Sequence, residues 1–124
     1  MSLLFMRDTI IPQGRGCQES PSVIVLKQMV VSMLLLVLEL PETTSLKDKR
    51  KVVSGIKHRL HNKFRLSCSE VDLQDSLGFA EIGAALVSNS PVFGEKVLNE
   101  AVRFVEENFP VNIYESQIHS EVYG

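Results

Sequence analysis

The hydrophobic pattern of the chain is clearest in an apolar run that begins after the first 28 residues. Residues 29–38 are almost all apolar and rich in Val and Leu, and Pro41 follows shortly after them. A run of this kind is typical of a strand buried on both faces, and it is too short to cross a membrane as a helix. The pattern therefore predicts a first strand over residues 29–38.

Two later segments have apolar residues at helical spacing. In residues 45–64 one stripe of the helix surface is formed by Leu46, Val53, Ile56, Leu60 and Phe64. Ser45 can cap the first amides, and Asp48 stands three residues later, as in a capping box. The second helix is predicted from the cap Ser90 to Asn108, with proline at its first position and Pro110 beyond its end.

Three further segments alternate between two sides, as strands do. From Leu66 onward Leu66, Cys68 and Glu70 are expected on one side and Ser67, Ser69 and Val71 on the other. Residues 79–87 contain small residues that allow another backbone to approach closely, and they are expected to pair with the preceding strand as a hairpin. Residues 111–123 alternate weakly and predict a fourth strand.

The order strand, helix, strand, strand, helix, strand predicts an α+β, ferredoxin-like two-layer sandwich over residues 29–124. Right-handed crossovers then place two helices on one face of a four-stranded antiparallel sheet. A chain of 124 residues leaves no room for a second independent core. We interpret residues 1–28 as an N-terminal extension, either a disordered leader or a stretch upstream of the true start, with an arm that covers a partner as the alternative.

The apolar first strand also bears on assembly. In this architecture the second sheet face carries no helices, so its apolar side chains need a cover. A second copy of the chain is the simplest cover, and residues 1–28 folding back are the rival. The sequence therefore predicts a homodimer.

Charge is distributed unevenly, although the net charge is only -2. Residues 45–65 have a local charge of +7, whereas residues 66–124 have a local charge of -8. An outward sector of the first helix contains Lys47, Arg50, Lys51, Lys57, His58 and His61. We interpret these six residues as a nucleic-acid-binding surface that contacts an RNA backbone. The alternative is an ordinary solvated helix face balanced by the second helix, since the strands offer no evident aromatic platform for bases.

Residues that often carry catalysis or bind metals form no recognisable site. His58 and His61 lack a third ligand nearby in sequence, and Cys17 and Cys68 belong to no metal or redox motif. Four acids gather around the predicted hairpin, namely Glu70, Asp72, Asp75 and Glu81. Such acids can act in acid and base catalysis, but in turns they more often bind their own backbone. We therefore expect no enzyme activity, metal or cofactor, and we expect a cytoplasmic protein without an export signal.

Several motifs resemble a known family. They are Ser45-Leu46-Lys47-Asp48-Lys49-Arg50, Glu70-Val71-Asp72 followed by Gln74-Asp75, Ala85-Leu86-Val87-Ser88, and Val102-Arg103-Phe104-Val105-Glu106. Over residues 29–124 the chain resembles the YlxP-like family of small bacterial proteins of unknown function. The resemblance implies a ferredoxin-like fold and, from the family's gene neighbours in translation and ribosome maturation, a link to ribosomal RNA or the ribosome. It implies no assigned reaction.

Two departures from the family pattern stand out. Family members often carry an aromatic and basic stretch where this chain has Ser76-Leu77-Gly78-Phe79, and residues 1–28 have no counterpart. The leading hypothesis is a non-enzymatic RNA or ribosome-associated binding module that acts through the basic helix. The alternative is a homodimeric structural or regulatory protein that binds a protein or small molecule through its sheet face.

Overall fold

A computed structural model describes residues 28–124 of the chain. Its elements, in order, are strand β1 (Met29–Glu39), helix α1 (Leu46–Phe64), strands β2 (Ser67–Asp72) and β3 (Phe79–Ser88), helix α2 (Pro91–Asn108) and strand β4 (Asn112–Tyr123). All six predicted elements are present in the predicted order. Of the predicted N-terminal extension, residues 1–27 lie outside the described part of the chain, and only Gln28 lies within it.

The four strands form one antiparallel sheet in the order β2-β3-β1-β4. Both helices pack on the same side of it, which confirms the predicted ferredoxin-like sandwich. α1 packs against β2, whereas α2 lies over β1 and β4. Neither of these two helices is long and apolar enough to cross a membrane.

The central strand β1 separates the core from the uncovered side of the sheet. Its helix-facing residues are all buried, namely Val30, Ser32, Leu34, Leu36 and Leu38. The residues between them, Val31, Met33, Leu35 and Val37, are only half-buried. The expectation of a strand buried on both faces was therefore wrong, because both helices lie on one side. We call the other side, which no described residue covers with a second layer, the open face.

Capping fixes where both helices begin. The Ser45 hydroxyl accepts from the Asp48 amide at 3.1 Å, as predicted. The Asp48 carboxylate accepts from the Thr44 hydroxyl at 2.9 Å instead of from the Ser45 amide, so the capping box is only half formed. At α2 the Ser90 hydroxyl accepts from the Phe93 amide at 3.3 Å. Each cap thus gives a partner to a first-turn amide that the helix itself leaves unbonded.

A buried lysine joins the first turn of α1 to the end of β2. Lys49 is only 2% exposed, and its Nζ lies 3.1 Å from Glu70 Oε2. The angle is not that of a hydrogen bond, so Oε2 is held by charge attraction alone. Lys49 Nζ also donates to the carbonyl of Leu73, whose φ of 64° is left-handed and whose amide donates to Asp72 Oδ1 at 2.7 Å. Lys49 thus holds the β2-β3 connection against α1.

We expect Lys49→Met to destabilise the fold by about 2–4 kcal/mol, because it leaves the Glu70 carboxylate without its cation. The cost stays below that of a fully buried pair, since Glu70 keeps 18% exposure. Lys47→Met, the same change at an exposed position two residues away, is the matched control and should cost less than about 0.5 kcal/mol. Urea unfolding measures both, and equal losses would contradict the role assigned to Lys49.

Helix α2 approaches β1 at a point where neither partner has a large side chain. A Cβ added to Gly94 would lie 2.8 Å from the Cβ of Ser32, closer than side chains normally come. The Ser32 hydroxyl shares a hydrogen bond of 2.8 Å with the Ser120 hydroxyl on β4. Ser32 thus has a partner inside the sheet while its small volume admits the helix backbone. By contrast, a Cβ on Gly55 of α1 would only touch the ring of Phe109 at 3.4 Å.

Gly94→Ala should therefore lower the free energy of unfolding by about 1–2 kcal/mol, since overpacking outweighs the gain in helix propensity. Gly55→Ala makes the same change at a helical glycine with room for a methyl group. It should raise the free energy of unfolding by up to about 1 kcal/mol. Thermal or urea unfolding of the two variants measures both changes. If the free energy of unfolding shifted in the same direction in both variants, the close packing of α2 against β1 would be refuted.

Candidate nucleic-acid interface

The six residues predicted to bind nucleic acid lie on one side of α1. We call them the basic sector: Lys47, Arg50, Lys51, Lys57, His58 and His61. All are exposed except Lys57, which is half-buried above β2. The helical repeat of 100° per residue places them beside the buried stripe, on the side turned away from α2. The structure therefore brings the predicted residues together.

The opposite side of α1 uses its cations to pack against α2. The Arg59 guanidinium lies 5.0 Å from the centre of the Phe104 ring, and Lys63 Nζ lies 5.5 Å from the same point. Phe104 also makes edge-to-face contacts with Phe64 and Phe109. Cations at such distances are attracted by the ring face. The two helices therefore meet through cation–π contacts, and no ion pair of α1 with an acid of α2 is found in this part of the chain.

The basic sector has no carboxylate partner in the described part of the chain. Within residues 28–124, ion pairs closer than 4 Å join only Lys49 to Glu70 and His119 to Glu121. No acid of that range lies within 4 Å of Lys47, Arg50, Lys51 or Lys57. Cations without partners hold mobile counterions, and a polyanion that replaces those ions gains free energy by releasing them from both surfaces.

The two histidines of the sector each bond to a neighbour. His61 Nδ1 lies 3.1 Å from the Leu66 carbonyl, so it carries the proton in that contact. His58 Nε2 lies 2.9 Å from Asn62 Nδ2, whose amide donates to it. Residues 28–124 contain no group of three His, Cys, Asp or Glu side chains that could hold a metal ion. Both histidines lie on the exposed surface of α1.

Of the four acids around the hairpin, Asp72 and Glu81 lie opposite each other on β2 and β3, whereas Glu70 lies on the other side of the sheet. Glu70 faces the helices and contacts Lys49, whereas Glu81 pairs with Val37 on the open face. Asp72 Oδ1 accepts from the amide of Leu73, the next residue, rather than from the amide two residues on. Burial raises the pKa of the Cys68 thiol, and the Lys57 ammonium opposes this only in part, so Cys68 stays protonated and unreactive near neutral pH.

The open face contains a row of acids that sequence reasoning missed. Across the sheet, Val37 of β1 pairs with Glu81 of β3 and Glu115 of β4, and Glu81 pairs with Asp72 of β2. We call Asp72, Glu81 and Glu115 the acidic row. Their sequence positions are far apart, and only the strand register brings them into line. The sequence does contain one signal, because no strand of the sheet carries Lys or Arg.

Beside the acidic row, the open face is apolar and slightly hollow. A shallow cavity of about 430 Å³ is floored by Gly83 and Ala85 and bordered by Met33, Leu35 and the serines of β2. Phe79 and Tyr114 make an edge-to-face contact with ring centres 5.6 Å apart. The strands thus carry one aromatic pair, contrary to the expectation of none. The pair lies at the acidic end of the sheet, where carboxylates oppose phosphate.

Comparison with known proteins identifies relatives but no established role. A family model described as "Protein of unknown function (DUF503)" matches residues 31–118. The "Uncharacterized protein YlxP" of Bacillus subtilis (strain 168) is 42% identical over 66 residues, which cover 53% of this chain and 71% of that protein.

Among solved structures, a de novo designed protein with a ferredoxin fold, determined by NMR in solution, has a TM-score of 0.41 and 9% identity. The alignment covers 79% of this chain and 86% of the designed one. The de novo designed protein Ferredog-Diesel has a TM-score of 0.39 and 11% identity, over 88% of this chain and 93% of its own.

The family match spans most of the described residues, and it includes both motifs in which Lys49 and Glu70 stand. The identity with the Bacillus subtilis protein agrees with the resemblance found in the motifs. The chain belongs to the DUF503 family of proteins of unknown function.

Proposed function

We propose that this protein is a non-enzymatic RNA-binding module, associated with ribosomal RNA or the ribosome, that contacts RNA phosphates through the basic sector of α1. One observation carries the proposal. Four Lys and Arg residues of this sector have no carboxylate within 4 Å among residues 28–124, while other cations of the same helix are used within the fold. A surface with unpaired cations along one helix suits a polyanion.

The dimensions of the sector suit a nucleic-acid backbone. From Lys47 to His61 the helix rises about 20 Å, so the sector can contact several phosphates at once. Arg50 can donate two parallel hydrogen bonds to one phosphate, whereas the lysines act as point charges. Phosphate contacts carry no sequence information, so the binding should depend on backbone charge more than on sequence.

The rest of the described surface offers no comparable site for phosphate. Among residues 28–124, the only Lys and Arg outside α1 and its C-cap Arg65 are Lys96 and Arg103 of α2. That helix also carries four glutamates, and the sheet carries no Lys or Arg at all.

The proposal predicts that Arg50→Gln combined with Lys51→Gln weakens binding of the full chain to purified bacterial ribosomal RNA. Each lost phosphate contact lowers the number of counterions released on binding by about one. The slope of log K against log salt should therefore become shallower by about 1.5. Fluorescence anisotropy across a salt series measures both the affinity and the slope.

Lys96→Gln combined with Arg103→Gln is the matched control, because it changes the net charge by the same amount on exposed positions of α2. It should leave the slope unchanged. Equal effects of the two double variants would mean that bulk charge alone attracts RNA. Absence of binding by the unaltered chain even at low salt would refute the proposal.

A further inference from the structure

The open face combines two properties that point to a partner. Its centre is apolar, with Met33 and Leu35 beside Ala85 and Gly83. The end beyond them is apolar too, with Val87 66% exposed on β3 and Met29 48% exposed on β1. Its end near Val37 carries the acidic row, and Glu39 adds a further carboxylate beside Phe79. Glu121 lies at the opposite end of the face, across from Val31, but it contacts His119. The carboxylates without such a contact therefore lie at one end of an apolar surface, which fits a partner that is polarised in the same way.

The sign of that charge defines the chemistry of the partner. All Lys and Arg of residues 28–124 lie on the helices or at the C-cap of α1, and none lies on a strand. On this face of the described sheet, His119 is the only side chain that can carry a positive charge, and it already contacts Glu121. The carboxylates of the acidic row are therefore unpaired by Lys or Arg within the described part of the chain.

We propose that the open face binds a protein segment that has a central apolar stripe and Lys or Arg residues at one end. The stripe lies along β1 and β3, where the hollow above Gly83 and Ala85 takes an apolar side chain. The basic end lies over Glu81 and Glu115. This site is on the opposite side of the sheet from both helices, so it is separate from the RNA surface proposed above.

Two other occupants fit the charges less well. The described sheet carries no Lys or Arg that could oppose the acidic row. Two copies packed through their open faces would therefore place carboxylates against carboxylates, or bury them under apolar residues such as Val31 and Val87. Single-stranded RNA binds some four-stranded sheets by stacking on aromatic residues beside cations. Here the Phe79–Tyr114 pair lies next to Glu39 and the acidic row instead, which repel phosphate.

The test uses the full chain and a synthetic amphipathic helical peptide with a leucine stripe and lysines confined to its last turn. A second peptide with glutamate in place of lysine is the control for charge. Calorimetry gives the affinity, and amide NMR shifts give the location. We expect binding of the lysine peptide alone, with shifts on β1, β3 and β4.

Glu81→Lys with Glu115→Lys should weaken this binding about tenfold or more, because two attractive contacts become repulsive. Glu106→Lys with Glu107→Lys changes the net charge equally at exposed positions of α2 and should change the affinity less than about twofold. Equal losses in the two double variants would overturn the proposal.

Val87→Asp separates docking from simple charge attraction. The added acid should strengthen binding if the peptide is held by charge alone, but it should weaken binding if the leucine stripe lies on the apolar surface around Val87. Because Val87 is well exposed, the fold should tolerate the change, and circular dichroism checks this. Tighter binding by Val87→Asp overturns the proposal, as does a dimer by light scattering whose NMR interface is the open face.

Discussion

Burial of one side of β1 is the constraint on which the rest of this structure depends. The strand lies between β3 and β4 and places Val30, Leu34, Leu36 and Leu38 under both helices. The residues between them are apolar too, yet both crossovers put their helices on the same side. The same strand therefore builds the core and leaves an apolar open face. A homodimer through that face stays a prediction, and the acidic row opposes it.

The cations of α1 divide into three groups according to their surroundings. Lys49 is buried against Glu70 and fixes the start of the helix on β2. Arg59 and Lys63 lie against Phe104 and fix the helix beside α2. These three cations make contacts within the fold. The basic sector lies on the remaining side of α1. Fold stability and the proposed RNA contact thus use different residues of one helix, so they can be altered separately.

The sequence predicted the elements well, because caps and periodicity act locally. Ser45, Ser90 and Pro91 start the helices as expected, and the outward position of the basic sector follows from helical repeat alone. The burial of Lys49 was not predictable, because its partners Glu70 and Leu73 come from a distant segment. The acidic row was missed for the same reason: strand register aligns Glu81 with Glu115, and periodicity within one strand carries no information about register.

The central claim is that the two sides of this domain have different partners, with RNA on the basic sector of α1. An NMR titration of the full chain with ribosomal RNA fragments tests this most directly, because it locates the contact without any substitution. The account predicts amide shifts concentrated in residues 47–61, lost as salt is raised, with the open face unaffected. Shifts concentrated on β1 and β3, around Phe79 and Tyr114, would contradict it.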